Sequence, residues 1–297
     1  MRHGLSLAPF GELADPRVVA DLAADAERAG FDGFFVWDHM YRAEPFRPVA
    51  DPWIVLAAVA TATERMRLGP LVTPVARRRP QKLARETTSL DQLSGGRLVL
   101  GVGLGVNTGG ELTRFGEEGD ARARGDRLDE GLELLCRLWS GDPVAHHGPH
   151  FTAADVRFEP RPLQQPRIPI WVAAPTGRPR PVRRAARYDG ICTDATPDEA
   201  PALLDRIRRA RGSLDGFDVV VSGRPGRRAG GWEAAGATWW ITAFPDPGRS
   251  RGRRRRHRGR PRLSRRGAAA QLTFLTPCTG RPRARHWNRV MVGSASS

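Results

Sequence analysis

The sequence predicts an α/β protein folded as a (β/α)8 TIM barrel, on three observations. Over the first 248 of its 297 residues, short apolar runs alternate with segments of helical period, the order that a parallel sheet wrapped by helices requires. Eight such runs can be counted, the number that closes a barrel. Some are apolar at every position, as a strand covered on both faces should be. An open doubly wound sheet is the second arrangement the pattern allows. Length alone permits two average domains or one barrel, since a single barrel runs to about 250 residues.

Leu5–Ala8 reads as the first strand. Asp15 and Pro16 then open a helix, with Val18, Val19, Leu22, Ala26 and Ala29 on one face and Gly30 at its end. Phe34–Trp37 is the second strand, and Asp51-Pro52 opens the next helix in the same way. Leu68–Val75 is the third strand. Pro80 starts a helix carrying Leu83, Thr87, Leu90 and Leu93, which stops near Gly95-Gly96. Leu98–Gly103 is the fourth strand, and a long helix follows with Leu128, Leu132, Leu135, Leu138 and Trp139 three or four residues apart.

Strands five to eight are Ile168–Ala173, Gly190–Thr193, Phe217–Val221 and Thr238–Ile241. A helix around Val182–Tyr188 separates the first two. Thr196-Pro197-Asp198-Glu199 gives the sixth helix a capping box and a proline. Of Trp239 and Trp240, one is expected to face the core and the other the barrel exterior. Two connections are long, Leu104–Ala121 and Gly141–Arg167, and long loops in a compact domain tend to carry function.

Residues 249–297 differ in kind. Between Arg249 and Arg289 there are 15 arginines, and no acid follows Asp246. The remaining 33 basic residues and 32 acids leave residues 1–248 near +1, although the whole chain carries +16. The segment has no apolar period, and the helix that should cover strand eight is missing or replaced. Arginine and glycine are what GC-rich coding sequence yields when read one base out of register. A single lysine, Lys82, against 47 arginines independently points to a GC-rich gene. The expectation is therefore a change of reading frame near Gly248, leaving a barrel over 1–248 and a tail over 249–297. The alternative is a genuine basic tail that binds nucleic acid.

With 40% apolar residues the body can bury a sizeable core. No stretch approaches the roughly 18–20 apolar residues of a membrane span. The N-terminus has no signal-peptide core, which suggests a cytoplasmic protein. Cys136, Cys192 and Cys278 are too few and too scattered for a disulfide framework or a zinc cluster, and reduced thiols are expected. His146, His147 and His150 lack a matching carboxylate or cysteine pattern, so no metal site is predicted. Nucleophile elbows and Walker loops are absent.

In a parallel barrel, function gathers where strands end. After strand two, Asp38 precedes His39; an aspartate there can set the orientation and protonation of an imidazole. The plain alternative is that Asp38 caps a turn and His39 is merely exposed. After strand three, Val72-Thr73-Pro74 places a hydroxyl and a rigid turn at the same rim. After strand four, Gly101, Gly103, Gly105 and Asn107 lie where a flat ring could approach the backbone. Their spacing is not the dinucleotide fingerprint. After strand five, Ala174, Thr176, Gly177 and Arg178 lead into a helix and could cradle phosphate; a plain loop would look similar.

These segments, taken in order, resemble the luciferase-like monooxygenase superfamily. The resemblance is carried by Gly30–His39 (GFDGFFVWDH), Arg67–Pro70, Leu90–Gly103 (LDQLSGGRLVLGVG), Leu138–Gly141, His147-Gly148, Pro160–Pro162, Pro169–Val172 and Ala185–Gly190. It spans about residues 4–247. It implies a (β/α)8 barrel holding reduced FMN or the deazaflavin coenzyme F420 at the strand C-termini, with Asp38 and His39 beside the ring. It also implies that Val72 and Thr73 mark a region often strained in the family, and that Ala174, Thr176 and Gly177 hold cofactor phosphate. Two departures stand out. Val106 occupies the place where some deazaflavin dehydrogenases carry a catalytic glutamate, so their sugar-phosphate activity is not carried over. From Arg249 the closing helix is replaced.

The expected function is a flavin- or deazaflavin-dependent oxidoreductase for a small organic substrate, with His39 and Asp38 catalytic and Val72, Thr73, Gly105, Asn107, Ala174, Thr176 and Gly177 on the cofactor. An intact barrel is expected to form a homo-oligomer, to avoid membranes, and to meet nucleic acid only non-specifically through the tail. The rival is a non-catalytic binding protein recruited to nucleic acid by that tail.

Overall fold

A computed structural model describes residues 1–43, 48–175, 178–227 and 229–244; the tail expected over 249–297 lies outside these. The strands are β1 (Arg2–Leu7), β2 (Gly33–Val36), β3 (Arg67–Pro70), β4 (Thr73–Pro74), β5 (Leu100–Gly103), β6 (Val144–His147), β7 (Thr152–Val156), β8 (Ile170–Ala173), β9 (Gly190–Thr193), β10 (Asp218–Gly223) and β11 (Trp239–Ala243). The helices are α1 (Pro16–Arg28), α2 (Pro52–Ala62), α3 (Pro80–Leu93), α4 (Ala121–Trp139), α5 (Pro179–Ala185) and α6 (Ala200–Arg211). Each helix N-terminus leaves N–H groups that need acceptors. Asp15 Oδ1 accepts from Arg17 N, Asp51 Oδ1 from Trp53 N and Ile54 N, and Asp120 Oδ2 from Ala123 N. The box at α6 forms only in half. Glu199 reaches back to Thr196 N at 2.7 Å, but the Thr196 hydroxyl also meets that carboxylate, and the helix begins later, at Ala200.

Nine strands form one parallel sheet in the order β3-β2-β1-β11-β10-β9-β8-β5-β4. The predicted third strand is broken: β3 pairs with β2, β4 pairs with β5, and a cis peptide joins Leu71 to Val72 between them. Leu68 bridges Leu98, with Val99 N donating to Leu68 O at 2.9 Å, so the ends of the sheet meet and the barrel closes. Gly69 permits this contact, because a Cβ there would lie 1.8 Å from Val99 O. The 141–167 connection, read in the sequence only as a long loop of the kind that tends to carry function, contains the antiparallel hairpin β6–β7. Glu130 on α4 pins it, meeting His146 Nε2 at 3.0 Å and accepting from His150 N and Phe151 N. Among the described residues, Cys136 and Cys192 form no disulfide; Cys278 is outside them. Among the described residues, no helix is long and apolar enough to cross a membrane.

The main core lies between sheet and helices; Leu5, Phe34, Leu68, Leu100, Val172 and Ile191 face outward into it. The alternate residues face the lumen. Phe35, Val99, Trp171, Val220, Trp239 and Ile241 fill its lower part. The rings of Phe35, Trp171 and Trp239 lie 5.3–6.0 Å apart, tilted or edge-on as quadrupoles prefer. Glycines make room for them: a Cβ at Gly190 would sit 2.5 Å from Trp171, and one at Gly33 2.9 Å from Trp239. Trp240 packs outside with Val221 and Ala237, as expected of the pair.

Candidate active site

Two residues further along the same strands, the lumen-facing positions become small. Ser6, Gly103, Ala173, Ser222 and Ala243 succeed Gly4, Gly101, Trp171, Val220 and Ile241 on β1, β5, β8, β10 and β11. The barrel is thus plugged below by aromatic rings and lined above, at the strand C-termini, by small residues. Two clefts, of about 370 and 550 Å³, open at the opposite end beside Arg2 and Asp32. Their charges are engaged internally, Arg2 with Asp218 and Asp32 accepting from His3 N, and that end of a parallel barrel serves stability.

At the upper rim the chain leaves β2 with Trp37, whose indole N–H donates to Ser6 Oγ at 3.2 Å. His39 follows, its ring set edge-on against Phe10 (5.7 Å between centroids) and beside Trp37 (6.1 Å). Its Nδ1 lies 2.6 Å from Glu111 Oε2. Glu111 Oε1 accepts from Met40 N at 2.6 Å and from Arg77 Nη1 at 2.7 Å. The other arm of Arg77, Nη2, reaches Asp38 Oδ1 at 3.0 Å. Asp38 Oδ2 accepts from Arg78 Nη2 at 2.6 Å and from the Thr73 hydroxyl. Both carboxylates are buried, and so is Arg77 at 4% exposure. Buried charges of this kind persist only when paired and hydrogen-bonded. Burial alone would raise the Glu111 pKa, yet its contacts with His39 and Met40 N, with the charge of Arg77, hold it below the usual glutamate value.

The predicted residues take distinct places in this arrangement. His39 stands at the rim as expected. Asp38 does not orient it: the carboxylate on the imidazole is Glu111, and Asp38 instead anchors Arg77, Arg78 and Thr73. Thr73 is fully buried with its hydroxyl on Asp38, so its described contact supports Asp38. Val72 packs on the glycines of β5, its Cγ2 lying 2.8 Å from where a Gly103 Cβ would be. Pro70 O fills the corresponding space at Gly101, at 2.3 Å. Those glycines therefore admit the protein's own neighbouring segment. Gly105 turns the chain at φ +73, where a Cβ would strike Pro74 at 2.7 Å. Asn107 is exposed, and its Oδ1 accepts from Leu112 N and Thr113 N, fixing the loop that delivers Glu111. Ala174 is buried, with its N–H on Cys192 O. Thr176 and Gly177 lie outside the described residues.

Glu111, Arg77 and Arg78 belong to this rim cluster and were not singled out by sequence reasoning. A signal existed for the first: Glu111 is the one carboxylate between Leu104 and Gly116, in a loop already marked as long.

The sequence model of the luciferase-like monooxygenase family matches residues 3–275, beyond the boundary placed at 248. The F420-dependent glucose-6-phosphate dehydrogenase of Nakamurella multipartita is 33% identical over 221 residues, covering 69% of this chain and 62% of that protein. The chain thus spans about 62% of the length of such curated relatives. Monooxygenase RslO1 from Streptomyces bottropensis superposes with a TM-score of 0.65 at 29% identity, covering 79% of this chain and 74% of its own. An F420-dependent secondary alcohol dehydrogenase shares the fold, with a TM-score of 0.63 at 21% identity over 75% of this chain and 68% of its own. The family match and the fold agree: this chain belongs to the luciferase-like monooxygenase family.

Proposed function

We propose that the chain is an oxidoreductase that holds FMN or F420 on the small-residue shelf of the upper lumen and acts on a small organic substrate. The carrying observation is His39, fixed by a buried carboxylate just after β2, at the end of the barrel where small residues replace the three aromatic rings that fill the lumen below. When bound, the cofactor supplies the hydride or oxygen chemistry. Ser6, Ala173 and Ala243 leave the space for its ring, and Trp37 and Phe10 hold the imidazole in place. His39 handles the proton, within a water-poor wall formed by Phe10 and Trp37.

Arg77 and Arg78 are committed to Asp38 and Glu111, so neither supplies a cation for a substrate phosphate. Met40, Val106 and Phe115, on the connections after β2 and β5, expose 48%, 55% and 56% of their surface, which favours a substrate with apolar surface. Sugar-phosphate oxidation is therefore not part of this reading. Self-association is: α2 turns Ile54, Thr61 and Ala62 outward with no charge among them, and light scattering would test it. The primary test is equilibrium binding of FMN and of F420 to the purified chain, followed by fluorescence. Saturable binding of either supports the reading, and binding of neither overturns it.

A further inference from the structure

We propose that Arg77 is a positioning residue which, through Glu111, fixes the tautomer of His39 so that Nε2 is the atom exchanging protons. The inference rests on the reading of His39 as the proton-handling group. Glu111 is 1% exposed, and a buried carboxyl stays ionised only with a partner cation or donors. Arg77 supplies that cation at 2.7 Å. Among the described residues, the titratable side chains in contact with Glu111 are His39 and Arg77; Arg77 also faces Asp38, which in turn carries Arg78 and Thr73.

An ionised carboxylate only accepts hydrogen bonds. Oε1 already takes Met40 N and Arg77, so Oε2, at 2.6 Å from Nδ1, must receive a proton from the imidazole. Neutral His39 is then the Nδ1–H tautomer, and its Nε2 carries the lone pair. Without Arg77, burial shifts Glu111 toward the neutral carboxyl, which takes one proton up from solvent. Its O–H then donates to Nδ1, the ring proton moves to Nε2, and the base is lost. Among the described residues Arg77 Nε has no hydrogen-bond partner, so its described hydrogen bonds come from the two arms of the fork, to Glu111 and Asp38. Lysine cannot reproduce that span.

The test uses the full chain, labelled with 15N histidine and free of cofactor, at about pH 8.5, well above the ordinary histidine value. His39→Gln identifies the relevant signal among the seven histidines. The wild type is expected to show Nδ1–H, and Arg77→Met a reversal to Nε2–H. An Nε2–H wild type, or an unchanged tautomer in Arg77→Met, overturns the proposal. If Arg77→Met fails to fold, Arg77→Lys is read the same way: a mixture or reversal supports the proposal, and an unchanged tautomer overturns it. In the loaded enzyme, Arg77→Met should lower kcat about a hundredfold and move the acid limb of its pH profile upward, with KM changed less. Failure of the cofactor reading shows separately, as absence of FMN and F420 binding by the wild type.

Discussion

Glu111 Oε2 lies 2.6 Å from His39 Nδ1 across 72 residues of sequence. The loop after β5 closes that distance, and the contact is part of a buried cluster in which each charge is met by its opposite. Replacing Glu111 by glutamine keeps the shape and removes one charge, leaving Arg77 half-paired in a buried place. Breaking one partner of a buried pair costs about 3–5 kcal/mol. The urea midpoint of Glu111→Gln should fall accordingly, while cofactor affinity changes little because the upper lumen is untouched.

His39→Ala separates a chemical role from a packing role. Loss of a positioned acid–base group lowers turnover about 10²–10⁴-fold. On the proposed reading the cofactor ring is seated by lumen residues that this change does not touch, so the cofactor dissociation constant should move far less than kcat. Equal losses in both, measured by steady-state kinetics and fluorescence titration, would mark His39 as structural.

Acid sensitivity follows from the lowered carboxyl groups. Burial opposes ionisation of Glu27, but N–H groups of Glu64, Met66 and Arg65 hold its pKa down; the same sign applies to Glu111, Asp129 and Glu130. A carboxyl whose folded pKa is depressed binds fewer protons folded than unfolded once the pH falls past its ordinary value, about 4.3 for glutamate. Its stabilisation is complete above that value and is lost as pH drops through the folded one. Melting temperature should be nearly flat from pH 8 to about pH 5 and fall steeply below about pH 4. Glu111→Gln should fall less steeply.

What the sequence disclosed divides along the same physical line. Asp15 and Asp51 could be read as caps because a cap joins residues two or three apart. β2 and β8 could be read because burial on both faces leaves an unbroken apolar run. The β6–β7 hairpin could not, since its strands are mostly half-buried or exposed and carry no period. His39 was legible from its place after a strand; its partner was not, because Asp38 is adjacent only in sequence and turns to Thr73 and Arg78. Gly101 and Gly103 announced missing side chains without saying that Pro70 and Val72 fill the space.

The lower lumen should tolerate no added volume. A methyl at Gly190 would meet Trp171 Cδ1 at 2.5 Å and Asp218 O at 2.8 Å, and neither has room to yield inside a closed ring of strands. Overpacking of this kind costs about 1–3 kcal/mol. Gly190→Ala should lower the melting temperature while leaving FMN or F420 affinity near wild type, since the plug lies below the shelf. An unchanged melting temperature would show that the aromatic cluster can repack.

The boundary near residue 248 remains to be tested by function. Fifteen arginines between Arg249 and Arg289, with no acid among them, bring positive charge that any polyanion can neutralise by releasing its counterions. Such binding carries no base readout and weakens steeply with salt, by about 10³-fold or more between 50 and 200 mM for six to ten phosphate contacts. The full chain should therefore bind random-sequence DNA and heparin alike at low salt and release both as salt rises. A chain ending at 248 should lose this binding and keep its cofactor affinity, as expected if the segment results from a shifted reading frame. The family match running to residue 275 sets the opposing expectation, that residues beyond 248 contribute to the barrel. Truncation that abolishes cofactor binding would decide for it. Sequence-selective DNA binding that survives physiological salt would instead make the arginine segment a functional element, and the shifted frame would then be wrong.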